Sequence, residues 1–168
     1  MRFAPSLLAA AVIAAAAVPL ASQAATFRFA RSADLSSWDI HAQNVGVNNA
    51  LHSAVYETLV EYNSKTFKPE PQLATEWKRV SPTQLRITLR QGVKFSDGSP
   101  LTAEDVKFSL ERAKSKTSNY AVYTQGIDRV QVVDAQTIDI FSDIPNPVLV
   151  NQLTELRIMS KPWAEKNN

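Results

Sequence analysis

Few side chains in this 168-residue sequence have the type and spacing that catalysis or metal binding requires. Its two histidines, His41 and His52, fit neither the HxxxH nor the HExxH spacing. The sequence contains no cysteine, which excludes disulfides and thiolate ligands. A metal site needs three or four ligands, so we predict no metal and no cofactor, and we interpret both histidines as surface or loop residues.

Three carboxylates in one short stretch, Asp97, Glu104 and Asp105, suggest an acid and a base. Asp97 stands in a polar turn, where its side chain can bond the backbone. Glu104 and Asp105 follow Thr102 in the first turn of a predicted helix, where free N–H groups and the helix dipole favour negative charge. We therefore interpret these carboxylates as turn and capping residues.

Enzyme and nucleotide-binding signatures are missing from the sequence. It has no GxSxG, GxGxxG or Walker loop, and its four glycines offer little material for one. Eighteen basic residues face sixteen acidic ones, giving a formal charge of +2. The basic side chains of the central hairpin alternate with acidic ones, which is typical of a solvated face. We predict no nucleic-acid partner.

The N-terminus has the pattern of an export signal. Arg2 precedes an apolar run at residues 7–20, and Ser22-Gln23-Ala24 supplies the small residues that signal peptidase requires. A transmembrane anchor is the alternative, because the run approaches the length that spans a bilayer. Its richness in alanine favours a signal peptide at residues 1–24, cleaved after Ala24, and a soluble, exported chain.

The most strongly specified elements surround the carboxylates. Residues 77–80 and 85–89 flank a polar turn and predict a hairpin, with Leu85, Ile87 and Leu89 on one face. A helix is predicted from Thr102 to about Lys114. Residues 130–133 and 137–141 predict a second hairpin, with Ile138 and Ile140 on its inner face.

Other elements are predicted from weaker patterns. They include a strand at 26–31 and a loop at 32–46. A helix capped by Asn48 or Asn49 is predicted to carry Leu51, Val55 and Leu59. A last helix is predicted to begin at Pro145 and Pro147, with Leu149, Leu153 and Leu156 as its apolar stripe. Residues 159–168 are predicted to lack a terminating element. Short antiparallel strands with a few helices indicate an α+β pattern.

The central stretch closely resembles the family 5 extracellular solute-binding proteins, the peptide-binding receptors of ABC importers. The matching segments are LATEW at 73–77, LRQGVKF at 89–95, DGSPLTAEDV at 97–106 and FSLER at 108–112, with further similarity at 55–60 and 133–137. The resemblance implies an α/β fold of the type II periplasmic binding protein class, in which two lobes close over a ligand.

The resemblance also implies a division of the chain. Residues 25–47 correspond to the first strand of lobe I and its ligand-side loop, and residues 48–168 to the auxiliary subdomain Ib. Family members are several times longer, so we expect an N-terminal fragment that stops before the rest of lobe I and lobe II. Because closure needs both lobes, we expect residues 25–168 alone to bind no peptide with useful affinity.

Candidate contacts follow from the resemblance where positions match. The loop after Asp39 corresponds to a cleft-lining loop, which nominates Asn44, Gly46 and Asn48 as ligand-binding residues. The segment SNYAVY at 118–123 resembles Ser-Pro-Tyr-Ala-Ser-Tyr and nominates Tyr120. Asn44 would give a neutral contact where some relatives carry an acidic residue.

The function that the resemblance implies is non-enzymatic capture of peptides. The expected partners are a peptide or other small solute and a membrane ABC permease, and the protein is expected to be monomeric and periplasmic. One alternative is a relative that binds nickel chelates, haem or sugars. Another is a small secreted hydrolase using His41 or His52, which no motif supports.

Overall fold

A computed structural model of the protein describes residues 30 and 33–167. The predicted signal peptide at residues 1–24 lies outside the described residues, and so does the predicted strand at 26–31 except for Ala30; both stay predictions. Residues 33–167 fall in one compact unit. None of the helices described in it is long and apolar enough to cross a bilayer.

Six strands and four α-helices are described. The strands are β1 (Val60–Asn63), β2 (Lys68–Pro71), β3 (Ala74–Ser81), β4 (Gln84–Leu89), β5 (Ile127–Asp134) and β6 (Thr137–Ser142). The helices are α1 (Gly46–His52), α2 (Ala103–Lys114), α3 (Leu149–Gln152) and α4 (Lys161–Asn167), with a 3-10 turn at Ala121–Thr124. Every strand pairing described is antiparallel, which agrees with the predicted α+β pattern.

The main sheet contains both predicted hairpins, in the order β3-β4-β6-β5. The two hairpins join through β4 and β6, where Leu85 pairs with Ile140 and Ile87 with Ile138. All four of these side chains are buried, because alternate residues of a strand face the same side of the sheet. Both hairpins and their inner faces are confirmed.

Helix α2 covers the apolar face of this sheet. Its buried side chains, among them Val106 and Leu110, share one core with the strands. Thr102 is the N-cap, and it forms a capping box with Asp105 as predicted. The first helical N–H, that of Ala103, bonds the Ala135 carbonyl at 2.9 Å and so ties the helix start to the β5–β6 turn.

The helix predicted from Asn48 or Asn49 through Leu59 is wrong in both its cap and its length. Helix α1 starts at Gly46, after Val45, which makes no side-chain cap. It ends at His52, so Val55 is exposed. Leu59 is buried just before β1, where the chain is already extended. Of the three residues on the predicted apolar stripe, only Leu59 is buried, and it lies outside the helix.

The C-terminal predictions are also corrected. Helix α3 has only four residues and ends at Gln152. Leu153 and Leu156 were predicted to lie on it; both are buried, but they follow the end of the helix. Residues 159–168 were predicted to lack an element, but helix α4 occupies most of them. The Ile158 amide donates to the Glu57 carbonyl at 2.9 Å, which holds the C-terminal segment beside the segment that precedes β1.

Candidate ligand-binding site

The loop that precedes α1 is held to helix α2 by an ion pair. Arg112 donates two hydrogen bonds to the Asp39 carboxylate, at 2.7 and 2.8 Å. Such bidentate pairing fixes orientation as well as distance. The Arg112 hydrogen bonds lower the pKa of Asp39 to about 2, which keeps the pair ionised over the physiological range.

His41 lies beside this ion pair in the loop before α1, as predicted, but its side chain is buried and not on the surface. Its Nδ1 lies 3.2 Å from an Arg112 nitrogen, which can only donate, so Nδ1 accepts and Nε2 carries the proton. Burial and then the Arg112 charge lower the pKa of His41 to about 4, although Asp39 opposes this shift. His41 is therefore neutral near pH 7.

His52 is fully buried in α1, which corrects the prediction of a surface or loop residue. Its ring lies near two aromatic rings, those of Trp38 and Tyr56. Its Nε2 lies 2.9 Å from the Ser37 carbonyl, so the side chain pins the loop to the helix. Within the described residues, no group of three His, Asp or Glu side chains is placed to hold a metal ion. Both histidines position the loop.

Of the three residues nominated on the loop after Asp39, only Asn44 lies in the loop, because Gly46 and Asn48 belong to helix α1. Asn44 is half-buried and accepts a 2.9 Å hydrogen bond from the Asn49 side chain. Gly46 is exposed at the start of α1, and a Cβ there would meet no atom within 4 Å. Asn48 is buried and donates to the Ser36 hydroxyl at 2.8 Å, so its side chain braces the loop from inside.

Tyr120 is buried, with 1% of its surface exposed. Its hydroxyl donates to the Asn49 side-chain oxygen and lies 3.4 Å from an Arg157 nitrogen. Burial raises the pKa of Tyr120, so the hydroxyl keeps its proton and remains a donor. The preceding residue, Asn119, donates through its backbone to the His41 carbonyl at 3.0 Å and through its side chain to Ala42.

These contacts place two of the four nominated residues in one hydrogen-bonded group. We call it the Asn49 cluster, and it consists of Asn44, Asn49, Tyr120 and Arg157. Asn49 links Asn44 to Tyr120, and Arg157 donates to the Asn49 carbonyl at 3.1 Å. Gly46 and Asn48 precede Asn49 on the chain and do not join the cluster through a described side-chain contact.

Sequence reasoning missed Asn49 as a connecting residue, and it missed Arg157 altogether. A helix cap, the role predicted for Asn49, needs only local partners, so the sequence carries no signal of its long-range contacts. Arg157 had a usable signal, because it is a lone charge in the apolar run Leu156-Arg157-Ile158-Met159. A charge in such a run is buried only when it has polar partners.

The nominated carboxylates serve the turn and the helix cap, as expected. Asp97 accepts bonds from the Ser99 backbone and hydroxyl at 2.9 and 2.6 Å, and these bonds lower the pKa of Asp97. Gly98 follows with a φ of 86°, a left-handed conformation that favours glycine. Asp105 accepts from the Thr102 amide and hydroxyl at 2.9 and 2.8 Å.

A separate apolar cavity of about 350 Å³ lies elsewhere on this unit. Its aromatic walls are Tyr56, Phe95 and Trp163. None of the four nominated residues lines it. The candidate site is therefore the hydrogen-bonding surface around Asn49, and this apolar cavity is a different feature.

Comparison with known families identifies the class of protein. The profile of the bacterial extracellular solute-binding proteins, family 5 Middle, matches residues 68–168. This chain belongs to that family. Its members bind solutes and are not enzymes, which removes the hydrolase alternative and agrees with histidines that serve only to hold a loop.

Individual relatives agree with the family assignment. The probable peptide-binding protein YejA of Agrobacterium fabrum is 31% identical over 116 residues, covering 67% of this chain and 19% of that protein. The uncharacterized protein YhjP of Bacillus subtilis is 31% identical over 109 residues, 64% of this chain and 19% of YhjP. The chain thus spans about a fifth of the length of the curated relatives it matches.

Solved structures match the same part of the fold. The unliganded open form of MppA, a periplasmic murein tripeptide binding protein, aligns with a TM-score of 0.72 at 27% identity, covering 79% of this chain and 30% of MppA. MoaA from A. tumefaciens R10, in complex with mannopinic acid, aligns with a TM-score of 0.74 at 26% identity, covering 80% of this chain and 29% of MoaA. The fold is thus mixed α/β and matches part of known periplasmic binding proteins.

Proposed function

We propose that this chain is part of an exported solute-binding protein that captures peptides for an ABC importer. The observation that carries the proposal is the family match over residues 68–168. Peptides are favoured as the solute because YejA is described as a probable peptide-binding protein and MppA as a tripeptide-binding one.

Binding would require no bond to be made or broken. Two lobes would close over the peptide, as in other hinge-closing binding proteins, and polar groups would hold its main chain. The nominated contacts are Asn44, Gly46, Asn48 and Tyr120. An asparagine side chain both donates and accepts, which matches the alternating N–H and C=O groups of a peptide.

The lobe assignment belongs to the same proposal. Residues 25–47 would supply the first strand and ligand-side loop of lobe I, and residues 48–168 its auxiliary subdomain. The Asp39–Arg112 ion pair supports a fixed orientation of this loop relative to helix α2. The expected setting is the periplasm, where the protein would act as a monomer and deliver its solute to a membrane permease.

Deleting the chromosomal gene tests the proposed solute. Uptake of a labelled pool of di- and oligopeptides should fall, and the intact gene supplied in trans should restore it. Uptake of labelled nickel–histidine, haem and a sugar should be unchanged. Normal peptide uptake combined with loss of one of these other solutes would overturn the peptide proposal and leave the family assignment intact.

An opine is the second candidate solute. The structural match to MoaA, whose complex contains mannopinic acid, is as close as the match to MppA. The deletion strain should therefore also be supplied with labelled mannopinic acid in the same uptake assay. Selective loss of opine uptake would favour this candidate over peptides.

A further inference from the structure

Arg157 is a buried cation whose described partners are all neutral. Only 6% of its surface is exposed. Its guanidinium donates to the Asn49 carbonyl at 3.1 Å and to the Ser53 hydroxyl at 2.8 Å. Longer contacts of 3.4 Å reach the Tyr120 hydroxyl and the Glu155 carbonyl. These oxygens satisfy hydrogen bonds, but none of them carries the opposite charge.

Within residues 33–167, no carboxylate forms a described ion pair with this arginine. Every aspartate and glutamate of the sequence lies within the described range 33–167. The ion pairs described there involve other cations, including Arg86 with Asp139 and Arg112 with Asp39. Glu155 approaches Arg157 through its backbone carbonyl and forms no described ion pair.

An uncompensated buried charge is costly, and proteins seldom keep one without an anion nearby. Removing an ion from water carries a desolvation cost that remains after the protein relaxes, and a well-placed counter-charge offsets much of it. The other partly buried arginine of this region, Arg112, has such a counter-charge in Asp39. Among the described residues, Arg157 has no such counter-charge.

The position of Arg157 connects this charge to the candidate site. Arg157 belongs to the Asn49 cluster, in which Asn49 is hydrogen-bonded both to Arg157 and to Asn44. Its partner Ser53 is exposed, so the cluster meets solvent on that side. An incoming carboxylate could replace the Ser53 hydroxyl on the guanidinium while the Asn49 carbonyl contact stays in place.

We propose that Arg157 is a specificity-determining residue that receives a carboxylate of the bound solute. The inference rests on the proposed function, and it narrows the solute class to molecules with a carboxylate. Arginine suits this role because its planar fork of N–H groups matches the two oxygens of a carboxylate. Neutral sugars would lack the group that balances the charge.

A titration of the purified protein with two matched probes tests this assignment. N-acetylglycine carries a carboxylate, and N-acetylglycinamide replaces it with a neutral amide of similar size. N-acetylglycine at millimolar concentration should shift the Nε–H resonance of Arg157 saturably, whereas the amide and equal concentrations of chloride should not. Equal shifts with both probes, or none with either, would overturn the proposal.

Two variants locate the binding. Arg157→Gln should weaken N-acetylglycine binding by about tenfold or more, because a charge-assisted contact is lost. Arg86→Gln removes a cation that already has Asp139 as its partner, and it should bind the probe like the native protein. If Arg157→Gln does not fold, the native protein's own Nε–H titration decides. Unchanged affinity in a folded Arg157→Gln variant would refute the assignment.

The probe titration and the uptake experiment can fail independently, so they distinguish an error in the Arg157 assignment from an error in the proposed solute. Loss of opine rather than peptide uptake would correct the proposed solute and leave the carboxylate site standing, since opines such as mannopinic acid are acids. Loss of peptide uptake without probe binding at Arg157 would keep the proposed function and remove this residue from the site.

Discussion

The individual hairpins and the cap of helix α2 differ from the Asn49 cluster in how far apart their partners stand in the sequence. Thr102 bonds Asp105 three residues later, and β3 and β4 are joined by a two-residue turn. In contrast, Tyr120 reaches Asn49 across 71 residues and Arg157 reaches it across 108. Local partners leave a readable spacing in the sequence, whereas distant partners leave none.

The two regions also differ in the interactions that hold them. The sheet and α2 bury aliphatic side chains, whose attraction depends on area rather than direction. The Asn49 cluster consists of directional polar contacts that must all be satisfied at once. We therefore expect substitutions in the first region to change stability most, and substitutions in the second to change solute recognition more than stability.

The largest expected effect comes from the core of the sheet. Ile140→Ala should lower the free energy of unfolding by about 2–5 kcal/mol, because Ile140 is fully buried between β4 and β5. Ile144→Ala is the matched control, since Ile144 is 69% exposed. Urea denaturation should place the control within about 0.5 kcal/mol of the native protein. Equal losses in both variants would contradict the assigned core.

The next effect is a pH dependence from His41. Its pKa is about 4 in the folded protein and near 6.5 when unfolded, so the unfolded chain binds more protons between these values. Its contribution is fully present above pH 6.5 and is lost as pH falls toward 4, by about 3 kcal/mol in total. The carboxylate of Asp39 does not contribute in this window, because its pKa falls from 3.8 to about 2 on folding.

Urea denaturation across pH 4–7 measures this dependence. The variant His41→Gln cannot titrate and should remove the His41 part of the slope. The variant His52→Gln should retain it. A slope that His41→Gln leaves unchanged would show that another group causes the acid sensitivity.

The capping box gives a smaller effect. Asp105→Ala removes the acceptor for the Thr102 amide and hydroxyl, and also a 2.9 Å bond from the Lys161 amide. The expected cost is about 1–2 kcal/mol. Glu104→Ala, its exposed neighbour, should change stability by less than about 0.5 kcal/mol. Thermal unfolding of both variants distinguishes a capping carboxylate from one that merely sits near the helix dipole.

Tyr120→Phe tests whether a cluster residue affects solute recognition more than stability, because Tyr120 is buried yet belongs to the Asn49 cluster. Losing the hydroxyl should cost only about 0.5–1.5 kcal/mol of stability. Peptide uptake by the variant gene should fall by a larger factor than this stability loss explains. Tyr123→Phe is the matched control, since its ring lies 5.7 Å from that of Tyr120. Equal uptake by the two variants would make Tyr120 a packing residue.

Local sequence patterns predicted the elements whose partners are near in the chain. The two hairpins, their inward faces and the capped helix α2 were predicted because alternation and capping act over two to four residues. The same approach failed for α1, where leucine spacing ran through the end of the helix. It also failed for α4, whose short helix is held partly by the bond from its Lys161 amide to Asp105 in α2.

The candidate site divides in the same way. The sequence pattern was enough to identify the family. Positions that match the family nominated four ligand-binding residues: Asn44, Gly46, Asn48 and Tyr120. The folded structure was needed to show that Asn49 joins two of them and that the buried Arg157 beside them has no carboxylate partner among the described residues. The physical reason is that a side chain's burial and charge environment depend on segments far away in the sequence, which come together only when the chain folds.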